Sequence, residues 1–560
     1  LRIFLSEAAL VGGIAAAAGL GLGSIFTPPF VLGQWGSFPA VEWDTVLLVT
    51  VFSIIIALLA VFQPARRAAN LNVVDTLREY LYVEEVKPYK RLWPWIAFLL
   101  GSYKMVMLLL GLNLNTLLPT IGGRGFLLSI LIVMARFLDG VLTYIGPILF
   151  FWGVTKILMR GSLKFQEVLG RLTGFFLKDL NLLVERDVKR NATRVASTAF
   201  LLTLIMGYSL SVIGAVASEQ DYALRTIYAN VGADMSVSLS SANNVTPVME
   251  AIGNLSGVLS VASEYSFSGQ TSLGPIQLRA VNPEKWFSTA YYEEEWFSGS
   301  SAQTALSTMA SDNETIILER IAAKNLNLKV GDTVSLTLGQ SKAFNLKVAG
   351  FFGPETSDEV SWSYVPEDIY SQVKSNVVAT ARILVKLAPE ANEEEIATQI
   401  QNLNPDVERV DSVSEQLRVY QSNVLITGRV NLQRLGVFFA ALAASIGSGL
   451  VILTTLEEKR KEMTLLLVRG LSVKQLASTL LTENLGVLLF AGALGTAVGY
   501  LTVRGNVAAS NALVALVMRR VVFPWDALSS LLIIVALLLL SVLIPVIIMV
   551  KKSASKLVLR

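Results

Sequence analysis

The chain has 560 residues, a net charge of +3, and a composition that is 53% hydrophobic and only 16% charged. This is too apolar for an ordinary soluble multidomain protein, so the composition predicts a membrane protein. Cysteine and histidine are both absent, which excludes disulfide frameworks, thiolate nucleophiles, haem attachment and the usual zinc sites. The small net charge gives no reason to expect a nucleic-acid partner.

Eight apolar stretches are long enough to cross a bilayer as helices. A hydrocarbon core of ~30 Å needs about 20 apolar residues per crossing. Such stretches lie near residues 7–25, 45–63, 92–113, 140–159, 196–216, 435–455, 477–501 and 527–550. A ninth stretch, 126–138, is interrupted by Arg136, Asp139 and Gly140. We interpret it as an interfacial or re-entrant segment that leads into the fourth helix.

Basic residues predict the orientation of these helices, because Lys and Arg in short loops are retained on the cytoplasmic side. They concentrate after the second helix, between the fourth and fifth, between the sixth and seventh, and after the eighth. The loop 24–44 has no Lys or Arg, whereas Arg504, Arg519 and Arg520 in the last outer loop are a partial exception. Both ends of this chain are therefore predicted to be cytoplasmic.

About two hundred polar residues, 217–428, separate the fifth and sixth helices, and this length is enough for a folded domain. The orientation places this domain outside the membrane. Runs typical of strands lie at 235–239, 276–281, 333–338 and 344–349, and helices are predicted at 245–252, 321–326 and 393–403. The simplest interpretation is an α+β domain.

The first and seventh helices share a residue register that indicates an internal repeat. Small residues recur every four positions along one face of each helix, which lets another helix backbone approach closely. Gly19, Gly23, Gly495 and Gly499 are therefore predicted helix-packing positions, although generic packing is an alternative for any single glycine. A helix pair follows each copy, and Trp43 and Asp44 correspond to Trp525 and Asp526 at its start. The chain thus contains one and a half structural units.

Three groups of residues resemble a known family. The first is a basic and apolar stretch between the sixth and seventh helices, composed of Glu458, Lys459, Arg460, Lys461, Glu462 and Met463, followed by Leu465, Leu466, Arg469 and Gly470. The second is the segment 63–78, and the third comprises 317–334 and 348–352 of the outer domain. Together they resemble the FtsX-like permease family, the MacB-type permease subunits of ABC transporters. Leu467 and the segment 546–550 depart from the family pattern.

The resemblance implies a polytopic α-helical membrane protein with an extracytoplasmic α+β domain, a MacB-like periplasmic core domain, in a prokaryotic cytoplasmic (inner) membrane. Residues 1–78 would be the C-terminal part of a first unit with two transmembrane helices. Residues 79–195 would be a linker region with two further helices and a cytoplasmic amphipathic segment. A helix at 196–216, the outer domain at 217–428 and a second unit at 429–560, with a coupling helix and three transmembrane helices, would follow. The resemblance therefore implies a two-unit protein with ten helices, whose N-terminal part is missing from this sequence.

No glycine is followed by lysine anywhere in the chain, so it has no Walker A sequence. We therefore predict no catalytic residues, no metal site and no cofactor bound by this chain, with ATP and Mg²⁺ held by a separate ABC ATPase dimer. The coupling residues implied by the resemblance are Glu458, Lys459, Arg460, Lys461, Glu462, Met463, Leu466, Arg469 and Gly470. Met463, Leu466 and Leu467 are expected to face the partner or the bilayer, inside a charged rim. The alternative is a solvated basic turn that follows from the positive-inside rule alone.

The predicted function is a permease that couples ATP hydrolysis to movement of the outer domain, called mechanotransmission in the family, and exports or extracts a hydrophobic substrate such as a lipid, lipoprotein, peptide or drug. Membrane lipid, a second permease copy and an extracytoplasmic protein are further candidate partners. The alternative is a non-transporting role in signalling or in regulation of a cell-envelope enzyme. A secondary transporter is disfavoured, since the repeat is parallel and the helices look continuous.

A few other residues carry separate predictions. Lys104 lies in an apolar run, and Asp139 is its candidate partner in an intramembrane ion pair, which we favour over an ion pathway. Glu7 and Glu483 are expected to interact with the positive end of a helix dipole. Six aromatic residues of the outer domain form either a core or a recognition surface: Trp286, Phe287, Tyr291, Tyr292, Trp296 and Phe297.

Overall fold

The structure is a computed structural model that describes residues 1–31, 41–69, 92–112, 114, 126–161, 192–339, 342–354, 361–511 and 516–558. It combines a helical membrane part with an outer domain that contains a mixed sheet. The predicted fold class is therefore confirmed. Residues 70–78 of the second family motif and most of the basic stretch before residue 192 lie outside the described residues.

Within the described ranges, eight helices are long and apolar enough to cross a membrane, which is the number predicted. Five of them precede the outer domain: α1 (Arg2–Val31), α2 (Trp43–Ala69), α3 (Leu92–Leu110), α4 (Phe126–Thr155) and α5 (Ala192–Val231). A π-helical turn, Lys156–Gly161, continues α4. The other three follow the domain at Val424–Glu458, Val473–Asn511 and Trp525–Val558.

The interpretation of residues 126–138 as a separate re-entrant segment is wrong. They form the first part of α4, which continues without a break through Asp139 and Gly140. The helix can continue because the charge of Asp139 is paired: its Oδ1 atom lies 2.9 Å from Lys104 Nζ on α3, and both side chains are 4% exposed. Tyr103 also donates a hydrogen bond to Asp139 at 3.4 Å. A carboxylate paired in this way can remain at membrane depth.

Ten strands of the described residues form one sheet in the outer domain. They are β1 (Met235–Leu239), β2 (Val258–Thr271), β3 (Gly274–Val281), β4 (Phe297–Ser298), β5 (Thr315–Glu319), β6 (Thr333–Leu338), β7 (Lys342–Phe352), β8 (Ser363–Pro366), β9 (Thr380–Leu387) and β10 (Val407–Ser412). Their order in the sheet is β10-β1-β9-β2-β3-β8-β5-β7-β4, with β6 pairing β2 and β7. Most neighbours are antiparallel, whereas β3 and β8, and β5 and β7, are parallel.

Short helices cover both faces of this sheet. They are α6 (Val245–Gly253), α7 (Pro283–Thr289), α8 (Ala302–Ser311), α9 (Arg320–Leu326), α10 (Glu367–Val373), α11 (Glu393–Gln401) and α12 (Val413–Ser422). A side-chain oxygen caps several of their first turns. For example, Asn282 accepts a hydrogen bond from the Lys285 N–H at the start of α7, which satisfies one of the unpaired amides of that turn.

Two apolar cores lie on the sheet. The larger packs aliphatic residues such as Leu278, Leu336 and Ile383 under α6, α9, α10 and α11. The smaller contains Trp286 and Trp296 together with α7 and α8. The aromatic cluster noted in the sequence is thus largely part of a core.

The last helices are α13 (Val424–Glu458), α14 (Arg460–Val468), α15 (Val473–Asn511) and α16 (Trp525–Val558). The 40 residues of α5 and the 35 of α13 correspond to about 60 Å and about 52 Å at 1.5 Å per residue. Both are longer than the ~30 Å hydrocarbon core. Each therefore continues from the membrane towards the outer domain as an unbroken stalk.

Candidate functional site

A short helix, α14, joins the membrane helices α13 and α15 at the end away from the outer domain. Gly470 ends it with a φ of +98°, a conformation that glycine adopts without a steric penalty. The N–H groups of Gly470 and Leu471 each donate to carbonyls of the last turn, on Leu467 and Leu466, at 3.1 Å. This is the Schellman pattern of helix termination. The chain is thus turned sharply into α15 at Gly470.

One face of α14 is attached to the membrane bundle. Met463 is 2% exposed and packs in an apolar cluster with Leu456, Leu476 and Val546. Leu466 and Leu467 are half-buried against the same cluster. The prediction that Met463 faces the partner or the bilayer is therefore wrong. Positions three and four apart share one side of a helix, and here that side is the internal one.

The opposite face of α14 carries an exposed apolar pair that the sequence interpretation missed. Leu465 is 55% exposed and Val468 is 68% exposed. They are three residues apart and therefore neighbours on the helix surface. Glu462 and Arg469 flank them and are exposed as well. The sequence would have predicted this exposed pair if the side of α14 that carries Met463 had been assigned to the membrane bundle, because Leu465 and Val468 lie on the other side.

Lys459 connects the start of α14 to the bundle. Lys459 is only 8% exposed, and its Nζ atom lies 3.7 Å from Glu483 Oε1 on α15. Glu483 is ten residues beyond Val473, where α15 begins. The predicted dipole interaction of Glu483 is therefore wrong, because that effect fades within the first turn. Of the two neighbouring coupling candidates, Glu458 is exposed and Arg460 is half-buried.

The predicted helix-packing glycines behave differently in the two repeats. A Cβ atom on Gly495 would lie 2.6 Å from Met206 Cβ, and one on Gly499 would lie 2.8 Å from the Gly207 carbonyl oxygen. The backbones of α15 and α5 are thus in direct contact. Around Gly19 and Gly23 of α1, no described atom comes within 4 Å of such a Cβ.

A cavity of about 460 Å³ opens between α5, α13 and α16 on the side of the outer domain. Its walls are mainly aliphatic, with residues such as Val216 and Ile533, and Phe438 adds one aromatic ring. Arg434 and Asp526 lie at its polar margin, where Arg434 donates to the Gln220 side chain at 3.4 Å. An apolar chamber with a polar margin suits an amphipathic molecule.

A network of charged residues joins the stalk α5 to the outer domain. Arg225 of α5 is 6% exposed. Its NH1 donates to both carboxylate oxygens of Glu293 at 2.8 Å, and its Nε donates to Asp221 at 2.9 Å. Its NH2 donates to the carbonyl of Met518 in the loop between α15 and α16. One guanidinium therefore joins three parts of the molecule.

The same loop contributes two of the three arginines that depart from the positive-inside rule, whereas the third, Arg504, lies in α15. Arg519 donates to Glu219 at 3.1 Å and lies over the Tyr222 ring at 3.8 Å. Arg520 donates twice to Asp221, at 2.9 and 3.0 Å. These two arginines serve as partners of stalk carboxylates, which explains their position outside the membrane.

The family models match parts of the chain between residues 195 and 554. Residues 195–403 match the family described as MacB-like periplasmic core domain, and residues 434–554 match FtsX-like permease C-terminal. No curated protein sequence matches the chain significantly.

Two solved structures align with part of the chain. The periplasmic region of MacB from Actinobacillus actinomycetemcomitans is 9% identical, covering 35% of this chain and 96% of its own, with a TM-score of 0.23. The extracellular domain of the noncanonic ABC-type transporter YknZ from Gram-positive bacteria is 13% identical, covering 32% of this chain and 98% of its own, with a TM-score of 0.22.

Proposed function

We propose that the chain is a permease that couples ATP hydrolysis in a separate ATPase dimer to export or extraction of a hydrophobic substrate. The matches to the FtsX-like permease C-terminal and MacB-like periplasmic core domain families support this proposal. The chain itself binds no cofactor in this proposal, and ATP and Mg²⁺ belong to the partner. It acts in a prokaryotic cytoplasmic membrane, with its large domain outside.

One observation carries the proposal: helix α13 reaches both ends of the machinery. At one end it lines the apolar cavity with Arg434, Val437 and Phe438, and at the other it ends at Glu458, directly before α14. A push on α14 would be transmitted along α13, since a continuous helix is a stiff element. The exposed pair Leu465 and Val468 is the surface on which the ATPase would act.

Changing both Leu465 and Val468 to aspartate is expected to abolish permease-dependent ATP hydrolysis. Both side chains are more than half exposed, so the fold should survive, whereas two charges in an apolar contact would each require desolvation. The measurement is ATPase activity of the co-purified candidate ATPase with the full chain in lipid nanodiscs. Leu259→Asp with Val378→Asp, at exposed outer-domain positions, is the matched control and should retain activity. Equal activity in the two double variants would contradict this role of α14.

Substitution of Ser530 by tryptophan tests the cavity. Ser530 is exposed and lines the cavity on α16, and its neighbour Ser529 is exposed but does not line it. A tryptophan at 530 would occupy the opening, so crosslinking of a diazirine-bearing acyl lipid to the cavity should fall about tenfold, the order expected when a contact of ~1.4 kcal/mol is lost. Ser529→Trp should crosslink like the unmodified chain. Unchanged crosslinking in Ser530→Trp, with ATPase coupling intact, would favour the signalling alternative.

A further inference from the structure

A second cavity, of about 310 Å³, lies outside the membrane where the outer domain meets the stalk. The sheet contributes Glu264 of β2, Arg279 of β3 and Arg382 of β9. Tyr222 and Thr226 of α5 form another wall, and Leu516 and Val517 of the loop before α16 close it. The cavity is thus separate from the one between the membrane helices.

The charge inside this cavity is unbalanced. Arg382 Nε donates to Glu264 Oε2, and Trp286 Nε1 donates to the other oxygen, Oε1, at 2.7 Å. The NH1 atom of Arg279 lies 3.7 Å from the same carboxylate, which is beyond hydrogen-bond distance. Two guanidiniums therefore share one carboxylate, leaving one positive charge in excess. Arg279 also lies over the Trp362 ring, 4.2 Å from its centroid.

Glu264 stays ionised under all physiological conditions. Burial alone would raise its pKa, but the two arginines and the hydrogen bonds from Trp286 and Arg382 lower it to about 2. The charge balance of the cavity is therefore constant across the pH range of a cell envelope.

Three buried hydrogen-bond donors in the cavity wall lack a partner among the described residues. They are Arg279 Nε, Trp296 Nε1 and Ser361 Oγ. Trp296 is 5% exposed and Ser361 is 8% exposed. Buried donors are normally paired, and leaving one without an acceptor is unfavourable. All three line the same space, so an acceptor placed there could serve them together.

Many of the residues that line the cavity are aromatic. Seven of the eighteen lining residues are Phe, Tyr or Trp. Their rings provide flat apolar surface beside the positive charge. The volume is at the small end of the ~300–1,000 Å³ of ligand cavities, which leaves room for one ring with its substituents and excludes a lipid.

From these observations we infer that the cavity between β2, β3 and the stalk binds a small free organic anion, a carboxylate or phosphate carried on a single aromatic ring. The anion would accept hydrogen bonds from Arg279 and Ser361, while the ring would pack against Trp296 and Trp362. Because its walls belong to the outer domain, to α5 and to the α15–α16 loop, an occupant would fix their relative positions. The inference does not rest on the proposed transport function.

Calorimetric titration of the full chain in lipid nanodiscs tests the site with three probes: benzoate, phenyl phosphate and neutral benzamide, each corrected with empty nanodiscs. At least one anion should bind ten times or more tightly than benzamide, and the comparison of benzoate with phenyl phosphate identifies the preferred group. If neither anion binds more tightly than benzamide, the inference is wrong.

Variants locate the binding. Arg279→Gln should weaken binding of the preferred anion at least about tenfold, since a hydrogen bond to a charged group is lost. Ser361→Ala should weaken binding about threefold to tenfold. This variant keeps the test decisive if Arg279→Gln does not fold, because the Ser361 hydroxyl has no hydrogen-bond partner among the described residues. Arg418→Gln, at an exposed outer-domain arginine, is the control and should bind normally. Anion binding equal in Ser361→Ala and Arg418→Gln would place the ligand elsewhere and overturn the inference.

Discussion

Replacing Gly495 and Gly499 together by leucine is expected to destroy the packing of α15 on α5. At both positions even a methyl group would lie within 3 Å of the facing helix, and at Gly499 the obstacle is a backbone carbonyl that cannot rotate away. Overpacking of a tight contact costs about 1–3 kcal/mol per site, so the two changes together cost about 2–6 kcal/mol, a large part of a total stability of about 5–15 kcal/mol. The measurement is the thermal unfolding midpoint in detergent, followed by tryptophan fluorescence.

The internal repeat provides a control of the same chemistry. Gly19 and Gly23 have the same register in α1, but a Cβ atom there meets no described neighbour within 4 Å. Gly19→Leu with Gly23→Leu should therefore leave the unfolding midpoint unchanged or slightly raised, because leucine has the better helix propensity. Equal losses in the two double variants would show that the cause is a general effect of leucine and not the contact with α5.

The membrane helices were predictable in number because their signal is local. A window of about 20 apolar residues identifies a crossing, and each predicted segment overlaps one observed helix. However, 92–113 extends past the end of α3 at Leu110, and 140–159 ends in the π-helical turn after α4. The ends were not predictable: α13 was expected at 435–455 but begins at Val424. Residues such as Arg429 and Arg434 lower the hydropathy there, yet the helix continues because it leaves the membrane as a stalk.

In the outer domain, a strand could be predicted where buried apolar and exposed polar residues alternate clearly along the sequence. The strand β6 was predicted with its observed bounds, since Val334, Leu336 and Leu338 alternate with exposed polar residues. The longer β2 was missed, although it pairs with both β3 and β9. Its serines and glycine have low strand propensity, and its stability comes from neighbours distant in the sequence.

The candidate sites depended on contacts that no local pattern encodes. The motif around Gly470 located α14, but whether Met463 or Leu465 faces outward is decided by α16, which lies far along the chain. Likewise, Arg225 meets the Met518 carbonyl across 293 residues of sequence. In the sequence, the only indication of this network was the position of Arg519 and Arg520 on the outer side, because basic residues there are often paired with carboxylates.

The ion pair between Arg225 and Glu293 is expected to be the main mechanical connection between stalk and outer domain. The side chains are only 7% and 15% exposed, and removing one partner of a buried pair costs about 3–5 kcal/mol because the other charge is left uncompensated. Arg225→Gln and Glu293→Gln should each lower the free energy of unfolding accordingly. The double variant should lose less than the sum, with a coupling energy of about 1–3 kcal/mol.

A second double-mutant cycle, on the exposed pair of Arg418 and Glu394, is the matched control. Their side chains are 67% and 75% exposed, so the coupling energy should be below about 1 kcal/mol. Chemical denaturation in detergent of the unmodified chain and the six variants gives all seven free energies. If the proposed function holds, breaking the Arg225 pair in a chain that still folds should also reduce export while ATP hydrolysis by the partner continues, because α5 would move without the outer domain. If the two cycles give equal coupling energies, the charged network is a surface feature, and the force must pass through the apolar contacts of Tyr222 and Val517 instead.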